Sequence, residues 1–412
     1  MLTVTANRIK LAGTARTRAQ ADESLTDDGR SSTGRTPDGH EMADHSAGSS
    51  GPGRGAAGRA KVRPGLVVGA VVLGVMVAAA GVFLVPRVPS LSTQITGDQG
   101  LAVQTLPYLD GALDVVSVAT VDGSVVDFAG FGADENTVYE IGSITKTFTA
   151  ALFADAVTRG EVNADTLLAE LLPVDGTPVA DVTLAELASH RSGLPRDGID
   201  TSVSKTLLLL THRSVYTEDI DGLVTVARSA DLTDRGSYLY STLGTALLGQ
   251  ALAAAAQVDY SQLLQDRMLR PLGMMDTTVA ITAEDLPANA TAGFGADGQQ
   301  YSPWTMNAWA PAGGMRSTAA DMAKYASALL DGTARGMDAL TPQWDEGNGT
   351  RTGYAWNITA FQGETVTAHG GATGGFCAAI ALDRTHHRAV IVLSNTKVPV
   401  EDAARTLLLG ST

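Results

Sequence analysis

Residues 139–159 read YEIGSITKTFTAALFADAVTR, and this stretch limits the fold more than any other. Ile144, Phe148, Ala151 and Leu152 recur at helical spacing, Arg159 falls in the last turn, and Gly160 stands where a helix would stop. The pattern predicts a buried helix with Ser143 at its first turn and Lys146 one turn on. Residues i and i+3 share a helix face, so the hydroxyl and the amine can meet. The helix N-terminus adds free N–H groups and a partial positive charge. Serine is a poor nucleophile until a base or a positive field lowers the cost of its alkoxide. This segment can supply both. Spacing alone does not single it out, because Ser-x-x-Lys occurs three times, at Ser143/Lys146, Ser202/Lys205 and Ser394/Lys397.

Strand patterns lie at both ends of the region around that helix. Residues 114–132 read DVVSVATVDGSVVDFAGFG, two Val-rich runs flanking the hairpin turn Asp122-Gly123. Toward the C-terminus, residues 353–361, 365–368, 376–382 and 389–393 are short β-prone runs. A polar turn over 383–388 joins the last two, and a terminal helix follows over 402–409. Between the two ends the chain is mainly helical. Thr183-Leu184-Ala185-Glu186 forms a capping box that opens a short helix with a turn-rich exit at 189–195. Residues 218–270 read as helices, 291–309 as irregular and aromatic, and another helix opens near Ser317–Asp321. The expected architecture is α+β: a mostly antiparallel sheet built from N- and C-terminal strands, flanked by helices, with a helical subdomain.

The chain has 412 residues, 44% of them hydrophobic, which is enough for a sizeable core. Charge is unevenly placed. Residues 1–64 hold 10 Lys+Arg against 7 Asp+Glu, while residues 65–412 hold 19 against 37. That acidity argues against nucleic acid as a partner of the main domain. The single cysteine, Cys377, excludes an intramolecular disulfide and a Cys-rich metal site, and it reads as a small buried apolar residue.

Residues 1–64 read as a disordered tail, with His40 and His45 as solvated polar residues. Residues 65–85 then run uncharged for about 30 Å, the depth of one bilayer core. Arg54, Arg59, Lys61 and Arg63 precede the run and Arg87 follows it. This predicts a single-pass signal anchor in the cell membrane, with the N-terminus in the cytoplasm and the bulk of the chain outside. The rival reading is a cleaved signal peptide ending near Ala78-Ala79-Ala80. A linker over 86–105 leads to one domain over 106–412.

Three segments carry the chemistry: Ser143-x-x-Lys146, Tyr240-Ser241-Thr242 and His369-Gly370-Gly371. In order and spacing they resemble the three motifs of the serine β-lactamase/penicillin-binding-protein superfamily, in its class C-like branch. That branch includes class C β-lactamases, D-alanyl-D-alanine carboxypeptidases and related esterases. Its pattern is Ser-x-x-Lys, Tyr-x-Asn, then Lys/His-x-Gly. Residues 187–195, LASHRSGLP, together with Pro271-Leu272-Gly273-Met274 and Gly313-Gly314-Met315-Arg316-Ser317-Thr318, also resemble text of that family.

The resemblance implies a serine hydrolase working through an acyl-enzyme, with no metal or organic cofactor. Ser143 would attack a carbonyl, and Lys146 would relay its proton and hold the alkoxide. Tyr240 would be the general base and acid, its phenol lowered by the lysine. The N–H groups of Ser143 and Ala372 would form the oxyanion hole, with Gly370 and Gly371 letting that strand approach the substrate. His369 would replace the lysine of other branches and meet a substrate carboxylate or the Tyr240 hydroxyl. Ser202, read as lying in a loop, and Ser394, read as following a strand, drop out.

The family's asparagine is Thr242 here, and threonine cannot donate and accept across the same gap. Substrates left open are small esters and peptide-like, cell-wall-type amides. A D-alanyl-D-alanine carboxypeptidase or β-lactamase proper, and a non-catalytic sensor of the same fold, are the alternatives. His190 is read as stabilising a turn rather than as a base, and His212 has no supporting context.

Overall fold

The structure is a computed structural model that describes residues 88–198, 202–288, 290–347 and 349–410. The expected tail over 1–64 and the apolar run over 65–85 lie outside the described residues. Among the described residues no helix is long and apolar enough to cross a membrane.

Strand β1 (Ile95–Gly97) opens the order, and β2 (Val116–Asp122) and β3 (Val125–Phe131) follow as the expected hairpin. Gly123 takes φ +57° at the turn, a conformation that favours glycine. Three short strands, β4 (Tyr139–Glu140), β5 (Thr278–Val279) and β8 (Met315–Ser317), form a small sheet in the order β4-β8-β5. β6 (Gly293–Phe294) and β7 (Gln300–Tyr301) pair with each other inside the stretch read as irregular. The C-terminal strands are β9 (Trp344–Gly347), β10 (Thr350–Thr352), β11 (Asn357–Phe361), β12 (Glu364–Ala372), β13 (Cys377–Asp383) and β14 (Arg388–Ser394).

The main sheet has nine strands in the order β1-β3-β2-β14-β13-β12-β11-β10-β9. Its closure is the pairing of the two chain ends. β14 runs antiparallel to β2 from Arg388↔Asp122 to Ser394↔Val116. Both faces are covered, which is why β14 reads as a continuous apolar run rather than an alternating one. Val390 and Val392 face one core, made with helix α1 (Gln99–Thr105) and the C-terminal helix. Ala389, Ile391 and Leu393 face the other.

That second core holds most of the helices. In chain order they are α2 (Thr145–Thr158), α3 (Leu184–Ala188), α4 (Val203–Leu210), α5 (Ile220–Arg228), α6 (Thr242–Ala256) and α7 (Ala319–Leu330). A helical stretch over 260–272 lies between α6 and β5, and α8 (Glu401–Gly410) is the C-terminal helix. In α2, 12 of 14 residues are buried, so it lies inside the domain instead of on its surface. The capping box at α3 forms as the sequence predicts: Glu186 N donates to Thr183 Oγ1 at 3.2 Å and Thr183 N donates to Glu186 Oε2 at 2.8 Å. Cys377 is buried in β13, and burial pushes its thiol up to about 12.

Candidate active site

The chain enters the site through β4. Ile141 N donates to Met315 O at 3.1 Å, and Glu140, just before it, is buried with Arg316 at 2.5 Å. Glu140 Oε1 also accepts from Trp304 N at 2.8 Å, so the strand leading to Ser143 is tied on both sides. Gly142 then takes φ +50° and starts a 3₁₀ turn over Gly142–Ile144 that runs into α2. Ser143 therefore stands in this tight turn, half-buried, just ahead of the α-helix proper.

Lys146, one turn on, is completely buried. Its Nζ donates to Ala312 O at 2.6 Å and reaches Ser143 Oγ at 3.2 Å. That carbonyl directly precedes the Gly313-Gly314-Met315 segment, which also tethers Ile141. Met315 N donates to Thr145 Oγ1 at 3.2 Å and fastens that segment to α2.

β12 supplies the facing wall. Its pairing with β11 stops at Ala368, so from His369 to Ala372 the edge away from β13 carries no β11 partner. Thr373 N donates to Phe376 O at 3.0 Å, toward β13. Backbone N–H groups alternate in direction along a strand, so that of Ala372 points away from β13. The turn 141–143 lies there. A Cβ on Gly142 would come within 2.8 Å of Ala372 N, and one on Gly371 within 2.0 Å of Ile141 O and 3.2 Å of Ser143 N. Two backbones pack directly, and this brings the N–H groups of Ser143 and Ala372 into one small space.

Tyr240 enters from the loop before α6. Ser241 caps that helix, with Gly244 N donating to its Oγ at 2.9 Å, and Thr242 is the first helical residue. Thr242 N donates to Arg196 O at 2.7 Å. Lys146 Nζ lies 5.0 Å from the centre of the Tyr240 ring. The structure thus gathers Ser143, Lys146, Tyr240, Gly371 and Ala372 from segments up to 229 residues apart.

Both neighbouring histidines are buried and neutral at pH 7. His369 lies with Nδ1 2.6 Å from Gly370 O, so this nitrogen carries the proton and donates. Burial first, then the nearby Lys146, depress its pKa from 6.5 to about 4. A neutral imidazole brings no charge to a carboxylate. His190, expected only to stabilise a turn, lies against Tyr240. It adopts φ +58°, accepts from Ser241 N through Nδ1 at 3.2 Å, and sets its ring 4.6 Å from that of Tyr240. Burial, with Lys146 second, depresses it to about 3. It does stabilise a turn, and the turn it stabilises is the one that carries Tyr240.

The two other Ser-x-x-Lys pairs have structural work. Ser202 is the N-cap of α4, accepting from Lys205 N at 3.4 Å, so it opens a helix where the sequence suggested a loop. Lys205 pairs with Glu218 at 2.6 Å. Ser394 is the last residue of β14 rather than beyond it, and its hydroxyl meets Thr396 Oγ1 at 3.0 Å.

A serine and a lysine in contact at a helix start, beside two backbone N–H groups, form an arrangement able to support nucleophilic attack on a carbonyl. Residues 104–410 match the family model Beta-lactamase, and the chain belongs to that family. It is 32% identical over 278 residues to human beta-lactamase-like 1, covering 62% of this chain and 53% of that protein. It is 27% identical over 311 residues to penicillin-binding protein 4 of Amycolatopsis lactamdurans, covering 66% and 77%. The chain thus spans only about half the length of the human relative. A class C β-lactamase from Rhodobacter sphaeroides shares the fold, with a TM-score of 0.63 at 20% identity over 76% of this chain and 98% of that one.

Two predictions follow from the packing and the buried bases. Gly371→Ala should lower kcat/KM on an activated ester by at least about 100-fold, since its Cβ meets backbone and must displace the turn bearing Ser143. Gly370→Ala should cost far less, because its Cβ meets the flexible end of Glu401. Steady-state kinetics on the two variants decide the point, and equal losses would remove Gly371 from its special place.

The second concerns pH. His190 and His369 bind fewer protons folded than unfolded between 6.5 and their depressed values. Stability is therefore full above 6.5 and falls as pH drops from 6.5 toward 4. Tm measured against pH should decline over that interval, and less steeply in His190→Gln. A parallel decline in the variant would exclude His190 as a contributor.

Proposed function

We propose that this protein is an extracytoplasmic serine hydrolase that forms an acyl-enzyme on Ser143, with an ester or a peptide-like, cell-wall-type amide as substrate. The observation that carries this reading is the 3.2 Å approach of Lys146 Nζ to Ser143 Oγ beside the Ala372 backbone. Ser143 Oγ attacks the carbonyl while Tyr240 acts as general base. Lys146, held by the Ala312 carbonyl, stabilises the developing alkoxide. The N–H groups of Ser143 and Ala372 receive the oxyanion, each worth about 3–4 kcal/mol in the transition state. Tyr240 returns its proton to the leaving group, and water then releases the acyl group. β12 has no β11 partner from His369 to Ala372, and its end beside the turn 141–143 is where the reacting carbonyl would lie. Similarity to a penicillin-binding protein and to β-lactamases supports a carbonyl substrate of the cell-wall or β-lactam kind.

Thr242 favours esters within that class. Holding the side-chain amide of a β-lactam or peptide takes a group that donates and accepts at reach, and a threonine at the start of α6 is too short. A lost polar contact of this kind costs about 1–3 kcal/mol, or roughly 5- to 150-fold in rate. The test is labelling and kinetics on one preparation. A fluorophosphonate should label Ser143, and Ser143→Ala should abolish both labelling and turnover, while Ser202→Ala and Ser394→Ala should not. A p-nitrophenyl ester should outpace a chromogenic cephalosporin, and Thr242→Asn should gain selectively on the cephalosporin. Full activity in Ser143→Ala would sink the assignment.

The same proposal places residues 65–85 across the membrane, motivated by the uncharged run and the cations before it. Reporter fusions after residues 60 and 95 should read cytoplasmic and external respectively. A cytoplasmic signal at both sites rules it out.

A further inference from the structure

One cation stands beside the site without a partner in the chemistry just described. Arg196 follows the 187–195 segment, and its Cζ lies 5.2 Å from the centre of the Tyr240 ring. Its backbone is held firmly. Arg196 O accepts from Thr242 N at 2.7 Å and Leu243 N at 3.2 Å, the first N–H groups of α6. The residues before it are held as well: Gly193 O accepts from Thr233 N at 2.9 Å, and Pro195 O accepts from Ser241 Oγ at 2.7 Å. Its side chain, by contrast, is 72% exposed. Among the described residues the guanidinium makes no hydrogen bond. Among the described residues it pairs with Asp197, at 3.7 Å from Nε, and Asp197 already accepts from Tyr216 OH at 3.0 Å. A fixed backbone therefore carries a guanidinium that is largely open to solvent beside the ring of Tyr240.

The surroundings give that cation a purpose. Residues 65–412 carry 37 acidic side chains against 19 basic ones, so an anionic substrate meets a repelling field until a local positive charge offsets it. The other basic groups beside Tyr240 do not serve. Lys146 is fully buried and held by Ala312 O and Ser143 Oγ, and His369 has its Nδ1 on Gly370 O. Guanidinium is also the group whose planar fork matches a carboxylate.

We propose that Arg196 is a specificity-determining residue that binds a carboxylate of the substrate at the mouth of the site, beside Tyr240. The inference rests on the acyl-enzyme reading for its kinetic consequence but not for the binding itself. A substrate of this kind carries its reacting carbonyl at Ser143 and an anionic group far enough along the chain to pass the Tyr240 ring. Arg196 is distinct from His369, to which the sequence resemblance gave the carboxylate.

The experiment uses the full-length protein and paired p-nitrophenyl esters of adipic to suberic acid, one series ending in a free carboxylate and the other in the carboxamide. The quantity read is the ratio of kcat/KM for the anionic over the neutral ester. It should exceed one in the wild type and fall about 5- to 10-fold in Arg196→Gln, the range for one partly exposed charge contact. It should fall further in Arg196→Glu and be partly kept in Arg196→Lys. The wild-type preference should shrink between 50 and 500 mM NaCl, which a merely stacking role for Arg196 would not produce. A ratio equal in wild type and Arg196→Gln overturns the proposal, as does an equal loss on both series. Binding is read independently of catalysis: adipate, titrated calorimetrically into Ser143→Ala, should bind at least 5-fold more weakly once Arg196→Gln is added. Unchanged adipate affinity overturns the carboxylate site even if Ser143 proves to be the nucleophile. A weakened affinity upholds it even if Ser143 does not.

Discussion

The direct contact of two backbones, β12 at Gly371 and the turn at Gly142, is the constraint on which the site depends. A Cβ at either position would overlap main-chain atoms of the other, at 2.0 Å for Gly371 and 2.8 Å for Gly142. Side chains can adjust around a clash and backbones held in a sheet cannot, so both positions exclude any larger residue. The closeness has a chemical use. It lets N–H groups from two distant segments point into one space without a mobile side chain, and such donors need no reorganisation when charge develops. The main sheet holds one partner in place through the ladder from β12 to β13, and the buried Glu140–Arg316 pair holds the other.

Around that contact the protein gathers three basic groups and leaves two of them uncharged. Lys146 acts on both His190 and His369, and His369 acts on His190, inside a buried region. Burial alone disfavours the imidazolium, and the lysine adds to it. Each imidazole is instead used as a directed polar group: His369 toward its own strand, His190 toward the cap of α6. The result is a site with one buried basic side chain in contact with the serine, and aromatic packing that sets the tyrosine beside it.

Much of this was legible in the sequence. The hairpin at Asp122-Gly123 follows from local turn chemistry, and the box at Thr183 and Glu186 from capping chemistry. The strands over β12 to β14 follow from apolar runs bounded by polar turns. Local rules work there because the determinants lie within a few residues. They failed at Ser202, read as loop and found as the N-cap of α4, a short helix whose Val203, Leu207, Leu209 and Leu210 stay exposed and so give no buried apolar face to read.

The sequence by itself determined the β2–β3 hairpin, the strands β11 to β14, the buried helix behind Ser143 and the order of the three motifs, since periodicity and spacing are properties of the chain alone; β1 and α1, in the stretch read as a linker, join the domain only through tertiary pairing. Tertiary structure alone decided how closely the turn at Ser143 packs on β12, that Ala312 rather than an acid anchors Lys146, and that His190 supports Tyr240. It also decided that Arg196, unremarkable in sequence, stands over the same ring as Lys146. These relations join residues 44 to 229 positions apart, and no local pattern encodes them. They exist because closing the sheet between β2 and β14 brings the middle of the chain against β12.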